Sequence, residues 1–138
     1  MGDIKGKKLL LMGVSYLNNV TDTRYSPTET FYKKCVKSGA LVYLHDPIVS
    51  YWPELNLNVE RSLENMKNKE MDAIILAVRH DEYYNLTPDD FKDCLKPNGL
   101  IIDCNNLIDD EKAEQLRLLN FQLIGVGKGH WDTYNKKE

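Results

Sequence analysis

The sequence predicts an α/β protein with a Rossmann-like domain of three layers, in which helices cover both faces of a five-stranded, mostly parallel sheet. Five short runs are apolar at nearly every position, which is typical of strands buried on both faces. Segments with helix start and stop signals separate these runs, and such alternation favours parallel strands joined by helical crossovers. We expect the strand order 3-2-1-4-5, with ligands beyond the carboxyl ends of the strands, near the switch point between strands 1 and 4.

The first strand and the helix after it are marked by the residues at their ends. Residues 8–13 form an apolar run that ends in a glycine. Ser26 then predicts a helix N-cap, Pro27 suits the first helical position, and Glu29 would complete a capping box. Gly39 predicts the end of that helix.

The middle of the chain predicts two more strands around an irregular stretch. Residues 40–44 form the second strand, and a loop that contains Pro47 and Pro53 follows it. A short helix is predicted near residues 62–69. Residues 72–78 then form the third strand, which is the most clearly apolar of the five.

The last third of the chain repeats the same signals. Thr87 and Pro88 again combine a cap with a proline and predict the start of a helix. Residues 96–99, Lys-Pro-Asn-Gly, predict a turn, because proline presets its second position and glycine closes it. Beyond that turn a fourth strand, a helix and a fifth strand are predicted at residues 100–103, 110–119 and 121–126.

The composition indicates one soluble domain over residues 1–138, with an ordered core at about 7–131 and flexible ends at 1–6 and 132–138. Hydrophobic residues make up 42% of the chain and charged residues 28%. The net charge of −3 provides no basic excess, so we expect no nucleic acid partner. The longest apolar run is far too short to span a membrane. Three cysteines without CxxC spacing favour a cytoplasmic location over a disulfide framework.

The connection after the first strand is the segment that differs most from ordinary scaffold. It covers residues 14–25, which is 12 residues where such loops usually take about 2–6. It brings Asp22 and Arg24 to a helix N-terminus, where anions are favoured and an arginine adds a rigid fork for phosphate or carboxylate. The alternative is that these two side chains pair with each other or with neighbours and only order the loop. From these residues alone, the two interpretations have equal support.

Two common phosphate-binding glycine motifs do not occur in the sequence. No GxGxxG follows the first strand, so we expect no NAD site in this domain, and there is no GxxxxGK[ST] loop. Asp46 could mimic the ribose-binding acid of a Rossmann unit. Without the glycines, a structural anchor for its loop is the better interpretation.

Two stretches match the signature of a known family. Residues 13–16 read Gly-Val-Ser-Tyr, and residues 22–27 read Asp-Thr-Arg-Tyr-Ser-Pro. They resemble the opening of the C-terminal domain of UDP-glucose, UDP-ManNAc and GDP-mannose dehydrogenases, which typically reads Gly-x-[Ala/Ser]-[Phe/Tyr]-Lys and then Asp-x-Arg-Glu-Ser-Pro. Weaker matches follow at residues 39–42, 45–47, 72–73, 80–83, 103 and 125–127, so the resemblance extends from residue 8 to about 130.

The resemblance implies a domain that clamps the UDP part of a nucleotide sugar for an NAD-dependent UDP-sugar 6-dehydrogenase of polysaccharide biosynthesis. The positions it implies for substrate binding are Tyr16, Leu17, Asp22, Arg24 and Asn105. It implies no catalytic residue, no metal and no cofactor for this domain alone, because the NAD domain and the catalytic cysteine of the family lie earlier in a much longer chain. The expected partners are a UDP-sugar and that NAD-binding, catalytic domain, and a homodimer stays open.

Two departures from the family pattern affect the expected affinity. Leu17 stands where the family has a lysine, and Asn105 stands where it has an arginine. Both missing residues are cations, and a charge-assisted hydrogen bond is about twice as strong as a neutral one. We therefore expect weaker UDP binding, although Arg24 is kept and Tyr16 can still stack or donate a hydrogen bond. A non-catalytic interaction or regulatory domain with lost nucleotide binding is the first alternative.

A second alternative is a small hydrolase or transferase that uses Cys104. His45 and His80 are expected at the same carboxyl edge, where a cysteine–histidine pair is conceivable. A metal site that combines these side chains with Asp46 and Asp103 is also conceivable, but neither arrangement has motif spacing. Four aromatic residues either serve a partner surface or are ordinary scattered aromatics: Trp52, Tyr83, Tyr84 and Trp131.

Overall fold

The computed structural model describes residues 3–125 and shows strands and helices in the predicted alternation. The strands are β1 Lys8–Met12, β2 Leu41–His45, β3 Tyr51–Trp52, β4 Leu57–Asn58, β5 Met71–Leu76, β6 Leu95–Asp103 and β7 Gln122–Gly125. The α-helices are α1 Pro27–Lys37, α2 Pro88–Cys94 and α3 Asp110–Leu118, and 3₁₀ helices cover Leu63–Met66 and Asp81–Asn85. Among these residues no helix is long and apolar enough to cross a bilayer.

The main sheet is parallel throughout and runs in the order β2-β1-β5-β6-β7. This confirms the predicted fold class, but the predicted order 3-2-1-4-5 is wrong in one place. In the numbering of the five predicted strands the order is 2-1-3-4-5, because β5 lies beside β1. Burial explains the difference: Ala73 to Leu76 of β5 are all buried, whereas Leu41 in the edge strand β2 is 52% exposed. The switch point therefore lies between β1 and β5.

Side chains of the sheet divide between two cores, one on each face. In β1, Leu10 and Met12 enter the core under α2 and α3. Leu9 and Leu11 enter the other core, under α1 and the β3–β4 hairpin. Because both faces are covered, successive residues of β1 are all buried, which is why the apolar runs of the sequence do not alternate.

The two ends of α1 show which of the predicted capping interactions are formed. Ser26 Oγ accepts a hydrogen bond from the backbone N–H of Thr28, which confirms the predicted N-cap. The predicted capping box is not formed, because Glu29 binds Lys33 one turn further on, at 2.9 Å. At the other end Gly39 adopts φ +89° and its N–H bonds to the last turn, which confirms the predicted helix end.

The loop predicted around Pro47 and Pro53 contains the small β3–β4 hairpin. Trp52 is fully buried there and packs edge-on against Tyr32 of α1, with ring centroids 5.8 Å apart. A surface role for Trp52 is therefore wrong. Strands of two residues leave no alternating pattern, so the sequence could not show them.

The start of β6 differs from the prediction. Strand pairing with β5 jumps from Met71↔Leu95 to Ala73↔Leu100, so residues 96–99, the predicted turn, protrude as an irregularity within a longer strand. The helix before it begins as predicted, because Thr87 and Asp90 form a reciprocal capping box. Several predictions concern residues outside the described range: the core limit at residue 131, the flexible end at 132–138, residues 126–127 of the family resemblance, and Trp131.

Candidate functional site

A cavity of about 390 Å³ opens at the carboxyl ends of β1, β5 and β6. It is formed by the residues that follow these strands and by the start of α1: Ser15, Tyr16, Leu17, Asn18, Pro27, Thr28, Ala77, Val78, Arg79 and Asn105. The cavity thus lies at the switch point between β1 and β5. In open α/β sheets this crevice is the place where ligands bind.

Gly13 allows the two walls of the cavity to come together. Its φ is +104°, and a Cβ placed on it would lie 2.5 Å from Cβ of Val78, in the loop after β5. Gly13 also donates its N–H to the carbonyl of His45 at 2.8 Å, which ties β1 to β2. A glycine is required here for close packing of two loops rather than for a phosphate turn.

A buried histidine holds the first half of the β1–α1 loop. His80 Nδ1 accepts a hydrogen bond from the backbone N–H of Asn19 at 2.9 Å. The side-chain oxygen of Asn19 in turn accepts from the N–H of Asp81 at 2.9 Å. Tyr16 donates its N–H to the carbonyl of Asp22 at 2.7 Å and closes the loop. These bonds present Tyr16 and its neighbours to the cavity.

Asp46 is the anchor beneath that loop, as its sequence context predicts. Its carboxylate accepts hydrogen bonds from His80 Nε2 at 2.9 Å and from the backbone N–H groups of Val14, Ile48 and Val49. Burial alone would raise the pKa of Asp46, but these donors outweigh it and hold the pKa below its usual value. Asp46 therefore stays ionised and fixes the loops after β1 and β2 to each other.

Ser15, His80 and Asp46 resemble a hydrolase triad but cannot work as one. Because Nδ1 of His80 accepts the N–H of Asn19, the proton of the neutral ring lies on Nε2, which donates to Asp46. Ser15 Oγ lies 3.3 Å from that same nitrogen and donates instead to the carbonyl of Leu17. A triad needs a free ring nitrogen that faces the serine, and all three residues are fully buried. The cluster is structural.

Three of the five predicted binding residues meet at the cavity. Tyr16 and Leu17 lie on one wall and are 50% and 54% exposed. Asn105 lies on the opposite wall, where its Nδ2 donates to the carbonyl of Leu76 at 3.1 Å. The hydroxyl and ring of Tyr16 are thus accessible to a ligand, and Leu17 adds apolar surface.

Asp22 and Arg24 do not line this cavity. Arg24 donates Nε and Nη2 to the two oxygens of Asp22, both at 3.0 Å, and its side chain is 73% exposed. The hydrogen bond from Arg24 lowers the pKa of Asp22 to about 2. The pair orders the second half of the loop, which is the alternative that the sequence left open. Nucleotide binding by these two residues stays a prediction.

Sequence reasoning missed Arg79 and Thr28, which also line the cavity. Arg79 directly follows β5, and its Nε donates to the carbonyl of Asn105 at 3.0 Å. A search of every predicted strand end for cations would have found it, because the third strand was predicted to end at residue 78. Thr28 lies in the first turn of α1, next to the proline that marks the helix start.

The other chemically reactive residues do not form a site. Desolvation of its sulfur and the nearby Asp103 raise the pKa of Cys104, which disfavours the thiolate that a nucleophile requires. Burial lowers the pKa of His45 to about 4, and its Nδ1 lies 2.9 Å from the hydroxyl of Tyr83. Tyr83 is buried, so a surface role for it is wrong, whereas Tyr84 is 44% exposed. Within residues 3–125, no three His, Cys, Asp or Glu side chains are grouped to hold a metal ion.

Comparison with known proteins places the chain in one group. A model of the "UDP-glucose/GDP-mannose dehydrogenase family, UDP binding domain" matches residues 10–110. The UDP-N-acetyl-D-mannosamine dehydrogenase of Methanococcus maripaludis is 26% identical over 130 residues, which cover 93% of this chain and 29% of that protein. The enzyme of the same name from Methanocaldococcus jannaschii is 29% identical, over 88% of this chain and 27% of that protein.

Solved structures show the same partial match. The NDP-N-acetyl-D-galactosaminuronic acid dehydrogenase of Methanosarcina mazei superposes with a TM-score of 0.78 at 29% identity, over 91% of this chain and 25% of that one. The UDP-D-ManNAc dehydrogenase of Pyrococcus horikoshii superposes with a TM-score of 0.72 at 25% identity, over 92% of this chain and 27% of that one. The chain therefore spans between a quarter and a third of the length of these relatives.

Proposed function

The chain belongs to the UDP-glucose/GDP-mannose dehydrogenase family as a UDP binding domain, and from that premise we propose that it binds the UDP part of a nucleotide sugar in the cavity between β1, β5 and β6. The observation that carries the proposal is the position of this cavity. It lies at the switch point and is lined by Tyr16, Leu17 and Asn105, three positions that the family resemblance implies for the substrate.

The chemistry of the cavity suits a nucleoside diphosphate. Tyr16 offers an exposed ring for stacking on a base and a hydroxyl for a polar contact. The first turn of the 11-residue helix α1 borders the cavity at Pro27 and Thr28, and a helix N-terminus favours negative charge. Arg79 adds a guanidinium at the same opening.

The reaction that this binding serves would be the two successive oxidations of the sugar C6 alcohol to a carboxylate. NAD would accept the hydrides. A separate NAD-binding and catalytic domain, the partner of this domain, would hold the NAD. The reaction would take place in the cytoplasm and serve polysaccharide biosynthesis. This domain contributes substrate binding and no catalytic residue. The names of the relatives, and the share of their length that lies outside the match, support this assignment of binding and catalysis to separate domains.

Calorimetry with UDP and with a UDP-sugar tests the proposal directly. We expect saturable binding at millimolar concentrations or below, weakened severalfold by Tyr16→Ala. Tyr84→Ala is the matched control, because Tyr84 is 44% exposed, similar to Tyr16, but does not line the cavity. An absence of heat at millimolar UDP, or an equal effect of the two variants, would contradict nucleotide binding at this site.

A specific observation also favours the second candidate, a protein-interaction domain. A groove of about 230 Å³ between α1 and the sheet is lined mainly by apolar surface, including Phe31 and Ile102. Ile124 lies beside Ile102 on the neighbouring strand and is 46% exposed. If this face joins two copies of the chain, sedimentation velocity should show a concentration-dependent dimer that Phe31→Lys abolishes. Val36→Lys is the control, because Val36 is exposed on α1 outside the groove.

A further inference from the structure

One cation at the cavity has no role in the family signature. Arg79 follows β5 at the cavity wall, and its side chain is exposed. Its Nε donates to the main-chain oxygen of Asn105 at 3.0 Å. That single bond fixes the guanidinium beside the end of β6 while leaving the donors of its two terminal nitrogens for other acceptors.

No carboxylate of the described residues neutralises Arg79. Within residues 3–125 it forms no ion pair, whereas Arg24 is bound through two nitrogens to Asp22. An arginine that already has a bidentate carboxylate must break that pair before it can bind a phosphate. Among residues 3–125 Arg79 has no such pair to break, so of the two arginines it is the one whose guanidinium is available to an anion.

The position of Arg79 also bears on the two departures from the family pattern. Asn105 stands where the family has an arginine, and its carbonyl is the group that holds the Arg79 guanidinium. Arg79, at the end of the adjacent strand, therefore places a positive charge beside residue 105. Leu17, where the family has a lysine, faces the same cavity.

We propose that Arg79 is the diphosphate-binding residue of this chain and that it replaces the family's arginine at position 105. The inference rests on the proposed function, because it assigns the phosphate contact within the same cavity. Arg79 would donate its terminal N–H groups to phosphate oxygens of a nucleoside diphosphate, in a bidentate geometry that a lysine could not reproduce.

The test compares UDP with uridine by calorimetry on the full 138-residue chain. Arg79→Gln should weaken UDP binding about tenfold or more, because a hydrogen bond to a charged group is lost. It should leave uridine binding unchanged, and it should flatten the salt dependence of UDP binding. Arg61→Gln is the matched control, because Arg61 is exposed and also donates Nε to a main-chain carbonyl but does not line the cavity. It should change UDP binding less than twofold. Arg79→Lys should bind UDP with an affinity between the wild type and Arg79→Gln.

The outcomes separate this inference from the proposed function. If the wild type binds UDP and Arg79→Gln binds it equally well, the inference is wrong and the proposed function stands. The inference is also wrong if uridine loses as much affinity as UDP, because Arg79 then does not bind the phosphates. If the wild type binds neither ligand, both fail. Equal thermal midpoints of wild type and variants exclude misfolding, and the exposed position of Arg79 makes equal midpoints the expected result.

Discussion

The two halves of the β1–α1 loop differ in what anchors them and in whether they line the cavity. The first half, residues 15–19, is tied to the buried His80, which Asp46 holds, and its residues 15–18 line the cavity. The second half, residues 22–25, carries the family's Asp-x-Arg pattern, whose two charges lie at the surface and bind each other, while Thr23 between them is buried. The half with the recognisable motif is thus not the half that forms the cavity, and the binding surface depends on buried anchors behind it.

The largest expected effect is on the anchor of the first half. Asp46→Ala removes the acceptor of His80 and of three backbone N–H groups, and should cost about 3–5 kcal/mol of unfolding free energy because buried donors lose their partner. Urea denaturation measures it. Asp22→Ala, in the exposed half, should shift the urea midpoint only slightly. If the two variants were equally destabilised, the division of the loop into an anchored and an exposed half would be wrong.

Gly13 should be nearly as sensitive, because it lies where the anchored half leaves β1. Gly13→Ala places a methyl group 2.5 Å from Val78 Cβ at a positive φ, so we expect a loss of about 2–4 kcal/mol in unfolding free energy. Gly6→Ala is a matched control, since Gly6 also has a positive φ but no atom within 4 Å of the added Cβ. It should cost about 1 kcal/mol. Similar losses in both variants would show that φ, not the contact between the two loops, sets the requirement.

Acid should destabilise the protein through the buried residues beneath the first half. Burial lowers the pKa of His45 from 6.5 to about 4, so between these values the unfolded chain binds the proton and the folded chain does not. Stability should therefore fall as the pH drops from about 6.5 to 4, by roughly 3 kcal/mol. The lowered pKa of Asp46 acts in the same direction at still lower pH, when its carboxylate is finally protonated.

His45→Asn tests the assignment of this pH dependence. Asparagine does not titrate, so urea midpoints of the variant should be nearly constant between pH 6.5 and 4, whatever its stability at neutral pH. Asp22→Asn should leave the wild-type slope in place, because the exposed carboxylate of Asp22 titrates near pH 2 and is screened by solvent. An unchanged slope in His45→Asn would assign the acid sensitivity to other groups.

The sequence predicted the elements better than their arrangement. The strands of the main sheet were located because buried strands are apolar at successive positions, and α1 was located by Ser26 and Gly39. Strand order depends on relative burial: the uniformly apolar β5 belongs in the middle of a sheet and β2 at its edge. That comparison was available in the sequence, whereas the two-residue strands of the hairpin leave no periodic signal.

Parts of the candidate site could be predicted for similar reasons. Tyr16, Leu17 and Asn105 come together because parallel strands end at one edge, so a position just after a strand is enough to place each of them. The direction of the Arg24 side chain is set by local bonds to Asp22, and no periodic pattern encodes such bonds. Arg79 also follows a strand end, but it lies outside the family signature, which covers the segment after the first strand.

The smallest expected effect sharpens the comparison by adding a charge at two positions of the same loop, one at the cavity and one outside it. Leu17→Lys restores the family's cation at the cavity and should tighten UDP binding about fivefold to tenfold, because it adds a charged donor near the phosphates. Val20→Lys is the control, since Val20 is exposed in the same loop but does not line the cavity. Calorimetry at two salt concentrations distinguishes a local contact from a general gain in positive charge, which would be screened by salt in both variants. An equal gain in both variants would mean that net charge alone attracts the nucleotide.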